Sequence, residues 1–196
     1  METDFENLIT SFIETNIGIS ESFLSAALAN NLKANLLLLE RDNLLAAAAT
    51  GHSKTLQHNL NTRSDRIYWL DRDHNNIYEN EFFDLVEDFV EFLNRSCYAG
   101  ITSYEFHYSL YAPGAFYSKH RDQFLNNSGR KYSMISYLNA NWQKEDGGEL
   151  VIQQSETNQS ISPTQGKTVF FKSNELIHEV LKTNQPRLSI TGWLKG

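Results

Sequence analysis

A chain of 196 residues, 40% hydrophobic and 21% charged, is long enough to bury a core without disulfide help and suits one domain with a helical extension. The net charge of −7, with lysines and arginines scattered in ones and twos, speaks against a nucleic-acid partner, which demands a basic footprint. No apolar run reaches the roughly 18 residues of a membrane span, the acidic start Met1-Glu2-Thr3-Asp4 is unlike a signal peptide, and the single Cys97 builds neither an internal disulfide nor a cysteine metal site. The expectation is a cytoplasmic protein with no membrane and no nucleic acid among its partners.

The first hundred residues read as helical. Asp4 to Thr15 carries Phe5, Leu8, Ile9, Phe12 and Ile13 at helical spacing. Ser20 is the expected N-cap of a longer helix bearing Phe23, Leu24, Ala27, Leu28, Leu32 and Leu36. Residues 46–61 are small and polar and are expected to form a mobile loop. Glu79 to Arg95 repeats the helical pattern with Phe82, Phe83, Leu85, Val86, Phe89, Phe92 and Leu93, and these stripes are read as core.

From about residue 101 the period changes to two. Tyr104, Phe106, Tyr108 and Leu110 fall on one face of a strand, with Glu105 and His107 on the other. Further strands are expected at 132–139, 149–153, 167–172, 176–182 and 188–194, separated by turn signals such as Pro113-Gly114, Asp146-Gly147-Gly148 and Gln185-Pro186. Helices followed by about seven short strands point to an α+β protein whose β part is a sandwich or jelly roll.

Among six histidines, His120 stands two residues from Asp122. On an extended strand, residues i and i+2 point the same way, so one metal ion can take both. His178, on a later expected strand, supplies a third ligand if the sheet closes on itself. Two imidazoles and one carboxylate on one face of a metal leave three positions open, the arrangement of non-haem iron(II) oxygenases. A His-x-Asp pair alone is weak evidence, and Arg187 strengthens it. It lies across a turn from His178, where its guanidinium can clamp a carboxylate with two parallel hydrogen bonds. The competing reading is a surface arginine paired with Glu175 or Glu179.

These residues sit in six ordered blocks: Tyr111 through Tyr117 to Asp122; Ser136-Tyr137-Leu138-Asn139; Trp142 with Asp146-Gly147-Gly148-Glu149-Leu150; Val169-Phe170-Phe171; His178-Glu179-Val180; and Arg187 to Trp193. In them the segment from Tyr104 to Trp193 resembles the catalytic core of the 2-oxoglutarate oxygenases. The resemblance is nearest to the prolyl 4-hydroxylase branch that holds the hypoxia-factor prolyl hydroxylases and their bacterial relatives. Thr62 to Leu70 resembles an upstream element of that branch that closes over a polypeptide substrate.

The resemblance implies a double-stranded β-helix (jelly-roll) core at 101–196. A mainly helical support region is implied at 1–100, with a substrate-covering segment at about 46–75. It implies His120, Asp122 and His178 as iron(II) ligands, and Arg187 with Tyr137 on the distal carboxylate of 2-oxoglutarate. Tyr111 and Tyr117 are placed near the metal and substrate. The implied reaction consumes dioxygen and turns 2-oxoglutarate into succinate and carbon dioxide while the substrate is hydroxylated, with ascorbate as reductant. The implied substrate is proline in a polypeptide. The alternatives are a free amino acid or small metabolite, and a non-catalytic jelly-roll binding module. Nucleic-acid dealkylation is disfavoured, because the second arginine of that branch is replaced by Trp193.

Several residues keep plainer readings. Tyr137 is alternatively a core tyrosine with a satisfied hydroxyl, and Tyr117 alternatively rim packing. Trp142 and Trp193 read as core, His107 as a surface residue or one behind the ligands, and His74 as part of a solvated, charged loop.

Overall fold

The computed structural model describes residues 2–48, 62–122, 129–154 and 157–196. Three helices, α1 (Glu2–Thr15), α2 (Ala26–Arg41) and α3 (Ile77–Cys97), lie close to where the hydrophobic spacing put them. The start of α2 is a correction. Ser20 belongs to a strand, and Ser25 is the cap, its side chain accepting from the Leu28 N–H. Phe23 and Leu24 therefore precede the helix, although both are buried. Helix α3 is set by Asn76, whose side chain accepts from the N–H groups of Tyr78 and Glu79.

The strands are β1 (Gly18–Ser20), β2 (Ala46–Ala47), β3 (Arg66–Trp69), β4 (Ser103–Tyr111), β5 (Tyr117–His120), β6 (Arg130–Tyr137), β7 (Leu150–Gln153), β8 (Asn158–Ile161), β9 (Thr168–Lys172), β10 (His178–Val180) and β11 (Arg187–Lys195). They form two antiparallel sheets. One has seven strands in the order β1-β9-β6-β11-β4-β3-β2, the other four in the order β5-β10-β7-β8. Strands β1, β2, β3, β5 and β8 were not among the strands expected from the sequence. They are two to four residues long, too short for a period-2 signal, and the first three lie among helices. Of the expected covering segment at 46–75, Ala46–Ala47 and Arg66–Trp69 pair as strands. Residues 49–61, which hold most of the expected mobile loop, lie outside the described residues.

The alternation along the long strands divides the interior. Phe106, Tyr108, Leu110, Met134, Leu188, Ile190 and Leu194 face the helices and join Leu8, Leu28, Leu32, Phe82, Val86 and Phe89 in the larger core. Ile135, Tyr137, Val169 and Phe171 face the four-stranded sheet and pack on Leu150, Ile152, Ile161 and Val180 in the smaller one. A shift of one residue in register would exchange these faces, so the hydrophobic pattern specifies the pairing strongly. The inward positions of β4 and β11 are His107, Ser109 and Tyr111 facing Thr191, Ser189 and Arg187. This polar file among apolar neighbours marks the space between the sheets as a site.

Candidate active site

Strands β5 and β10 pair with His120 directly opposite His178. Asp122 follows β5 by two residues and turns its carboxylate into the same space. Its Oδ1 lies 3.4 Å from His120 Nε2 and 3.6 Å from His178 Nε2. One donor atom from each of the three falls within 4.8 Å of the others. Metal–ligand bonds of about 2.1 Å at right angles would set donors about 3 Å apart, and Asp122 Oδ1 stands within a few tenths of an ångström of that spacing from each histidine. The rings are already turned for it. His120 Nδ1 lies 2.8 Å from the Ser118 carbonyl and His178 Nδ1 lies 3.3 Å from the Leu176 carbonyl, which places the proton on Nδ1 and the free lone pair on Nε2.

Electrostatics agree with an ion-binding trio. Burial alone would raise the Asp122 carboxyl, but His178, His120 and the Ser133 hydroxyl together hold it well below the usual carboxylate range. Burial pushes His178 down to about 4 against the pull of Asp122, so its imidazole is neutral and free to ligate. Ser133 was not singled out from the sequence. Its hydroxyl donates to Asp122 Oδ2 at 2.6 Å and lies 2.9 Å from Ser173 Oγ. A serine between apolar strand residues carries no local signal of this role.

Further in, Arg187 is 1% exposed, so the surface pairing with Glu175 or Glu179 is excluded. Its Nε donates to the Gly148 carbonyl at 2.8 Å. A Cβ on Gly148, whose φ is +67°, would lie 3.1 Å from Arg187 Cδ and from Thr183, and one on Gly147 would lie 2.6 Å from the Lys182 carbonyl. The double glycine is therefore what lets this turn close under the arginine. The guanidinium carbon lies 4.9 Å from the Tyr111 ring centre and 5.1 Å from that of Tyr137. Asn139 anchors the same strand end, donating to the carbonyls of Pro163 and Leu188 and accepting from the Leu188 N–H.

The buried Tyr137 hydroxyl has no hydrogen-bond partner, which contradicts the reading of a satisfied core tyrosine. The Arg187 guanidinium stands close enough to act on this hydroxyl, pulling against the upward push of burial. A buried cation beside an orphaned hydroxyl is costly unless an acceptor arrives between them. The pair fits a carboxylate of a small dicarboxylic acid reaching in from the metal.

A cavity of about 400 Å³ joins these parts. His120, Asp122, His178, Arg187, Tyr111 and Tyr117 all line it, while Tyr137 is not part of the lining. Trp193 lines it too and is thus more than core, with the Arg130 guanidinium 3.4 Å from its ring centre. Trp142 stays outside, its indole N–H donating to the Gly147 carbonyl. His107 is buried inside the cavity wall, not on the surface, between the rings of Trp69 at 5.0 Å and Trp193 at 5.6 Å. His74 is in a short 3-10 turn, bonds the buried Glu79 at 2.9 Å and does not line the cavity. No helix among the described residues is long and apolar enough to cross a membrane.

Comparison with known proteins gives concordant results. Residues 106–195 match the model of the 2OG-Fe(II) oxygenase superfamily. A solved Pseudomonas putida prolyl-4-hydroxylase superposes with a TM-score of 0.89 at 28% identity, covering 98% of this chain and 99% of that one. A Trichoplax adhaerens prolyl hydroxylase, solved with a hypoxia inducible factor peptide fragment, superposes at 0.88 with 21% identity over 99% and 90% of the two chains. Among curated proteins, a Xenopus laevis prolyl 3-hydroxylase is 33% identical over 79 residues, which are 35% of this chain and 16% of that protein. A PKHD-type hydroxylase from Picosynechococcus is 33% identical over 90 residues, 45% of this chain and 41% of that protein. The chain thus matches less than half the length of either curated relative.

Proposed function

We propose that the protein, whose residues 106–195 match the model of the 2OG-Fe(II) oxygenase superfamily, is an iron(II)- and 2-oxoglutarate-dependent hydroxylase acting on proline within a polypeptide. The observation that carries the reading is the pairing of a complete His-Asp-His donor set with a buried arginine across one cavity, with the buried Tyr137 ring beside that arginine. His120, Asp122 and His178 are the iron ligands in this reading, and Arg187 and Tyr137 take the distal carboxylate of 2-oxoglutarate. Bound iron(II), with 2-oxoglutarate and dioxygen, supplies an oxidant able to replace an unactivated C–H hydrogen by hydroxyl, while the co-substrate leaves as succinate and carbon dioxide.

The chain's own residues do the rest. The Nδ1 hydrogen bonds of both histidines hold their rings in the ligating tautomer. Ser133 fixes the second carboxylate oxygen, which leaves Oδ1 directed at the ion. The apolar wall of Ile135, Leu150 and Val180 limits water in the cavity. Tyr111 and Tyr117 close the side toward the co-substrate, and ascorbate serves as the reductant that keeps the metal divalent. Dioxygen and a proline-bearing polypeptide are the partners.

The substrate assignment is supported by the full-length superposition on a bacterial prolyl-4-hydroxylase, the 28% identity making it more than a shared fold. That the Xenopus relative is a 3-hydroxylase makes the ring position a separate question, answered by NMR of the product. The test uses the purified protein with iron(II), 2-oxoglutarate and either proline-containing peptides or free proline, reading succinate and the hydroxylated product. Stimulation by peptide alone is expected. Stimulation by free proline alone would make it a small-molecule hydroxylase. No iron-dependent succinate with any of them would reduce the protein to a binding module. His178→Ala is expected to bring turnover to background, and near-normal rates would remove it from the ligand set.

A further inference from the structure

The three ligand side chains are not equally held. His178 and Asp122 are 3% and 8% exposed, while His120 is 15% exposed, on a four-residue strand that ends at it. Its ring is not left to swing. The Tyr117 ring lies parallel to it, 13° between planes and 3.5 Å between centres. That contact occupies one face of the phenol ring. The Arg63 guanidinium carbon stands over the same ring at 4.7 Å, which leaves it only the other face. Arg63 is itself fixed, donating through Nε and Nη2 to the two oxygens of the buried Asp65 at 2.6 and 2.9 Å. The backbone joins in. The Ser118 N–H donates to the Thr62 carbonyl, the Ser64 N–H to the Phe116 carbonyl, and the Phe116 N–H to Ser64 Oγ, so residues 62–65 run alongside β5.

We propose that Arg63 is a positioning residue for the metal centre: clamped by Asp65, it presses Tyr117 flat against His120 and so sets the ring plane of that ligand. The inference rests on the reading of His120 as a metal ligand. A bidentate arginine–carboxylate pair is rigid, and a cation over an aromatic face is attracted to it, so the stack transmits a fixed position and not merely bulk. Lysine, a point charge on a flexible stem, would not reproduce it. The arrangement also ties the segment just before β3, within the expected substrate-covering stretch, to His120. Groups that orient a ligating histidine typically change metal affinity by about 10–100-fold when removed.

The experiment measures the dissociation constant of the full chain for Mn(II) or Co(II) without co-substrate, with circular dichroism as the check of folding. Arg63→Leu is expected to weaken binding about tenfold, and Tyr117→Leu at least as much. Tyr117→Phe, which keeps the ring, recovers the affinity that Tyr117→Leu loses. The double variant Arg63→Leu/Tyr117→Leu is expected to bind no more weakly than Tyr117→Leu alone, because the arginine acts only through the ring. The cobalt visible spectrum should change in both leucine variants, a signature that lost stability alone would not produce. Unchanged affinity in Arg63→Leu, or losses that add in the double variant, would overturn the positioning role while leaving the metal site intact. Should Arg63→Leu fail to fold, the Tyr117→Leu and Tyr117→Phe pair still decides: equal affinities refute the stack. Absence of metal binding in the wild type would overturn this inference and the proposed function together.

Discussion

At the residue scale, the candidate site holds polar groups that the protein alone leaves incomplete. Tyr137 is the clearest case, since its hydroxyl is buried without a partner and burial pushes it up to about 12, so it stays a neutral donor. Tyr137→Phe is expected to leave the cofactor-free protein as stable as before or up to about 1 kcal/mol more so, and to weaken 2-oxoglutarate binding about tenfold. Thermal melts and co-substrate titrations check both halves, and a loss of stability would mean the hydroxyl has a partner after all. Arg187→Ala is expected to raise the 2-oxoglutarate requirement steeply with metal affinity largely retained. An unchanged requirement would confine Arg187 to packing. The sequence pointed to both residues because they stand in ordered motif blocks. Ser133 carries no such mark, since a serine in a strand looks alike whether it holds a ligand or faces water, and Arg63, although it stands in the Thr62–Leu70 stretch, has nothing near it in the chain that points to the Tyr117 ring.

At the element scale, helices were legible and short strands were not. A stripe of Phe82, Phe83, Val86, Phe89 and Leu93 can bury itself only as a helix, and α3 covers that stretch. Phe89 sits within 5.2–5.7 Å of the Phe5, Phe23 and Phe170 rings, joining α1, the segment before α2 and strand β9. Phe89→Ala is expected to cost about 3–5 kcal/mol in denaturant unfolding. A much smaller loss would mean that the helical layer repacks. Strands of two to four residues such as β2, β3 and β8 owe their existence to neighbours already in the sheet. Ser20 misled for the same reason: it has a capping side chain, but pairing opposite Thr168 claims its backbone.

At the scale of the whole molecule, two sheets and a helical layer bury a histidine in the cavity wall, and this gives the fold an acid-sensitive point. His107 is pushed down to about 4, first by burial and then by the Arg63 charge, with Arg130 adding to it and Asp65 and the Tyr108 carbonyl opposing. A histidine kept neutral in the fold and free to protonate near 6.5 when unfolded contributes stability that is present above about pH 6.5 and drains away as pH falls toward 4. His107→Leu is expected to flatten the melting temperature against pH by one bound proton across that window, and an unchanged slope would show that the imidazole is already charged in the fold. Its neutrality follows from burial inside the wall and from the Arg63 charge, against the pull of the Tyr108 carbonyl 3.1 Å from Nδ1, an environment that no reading of alternation along β4 could supply.

Local chemistry and periodicity were enough to place the helices, the long strands and the order of the motif blocks, because each rests on residues close in the chain. The α+β class followed from them, while His120, Asp122 and His178 stood out as candidate ligands through the resemblance of the motif blocks to the 2-oxoglutarate oxygenases. Folding alone decided that His120 stands opposite His178, that Arg187 is buried beside an unpartnered hydroxyl, and that Arg63 reaches the metal site through an aromatic ring. Those contacts join residues tens of positions apart, and their geometry depends on how two sheets close on each other, which no window along the chain contains.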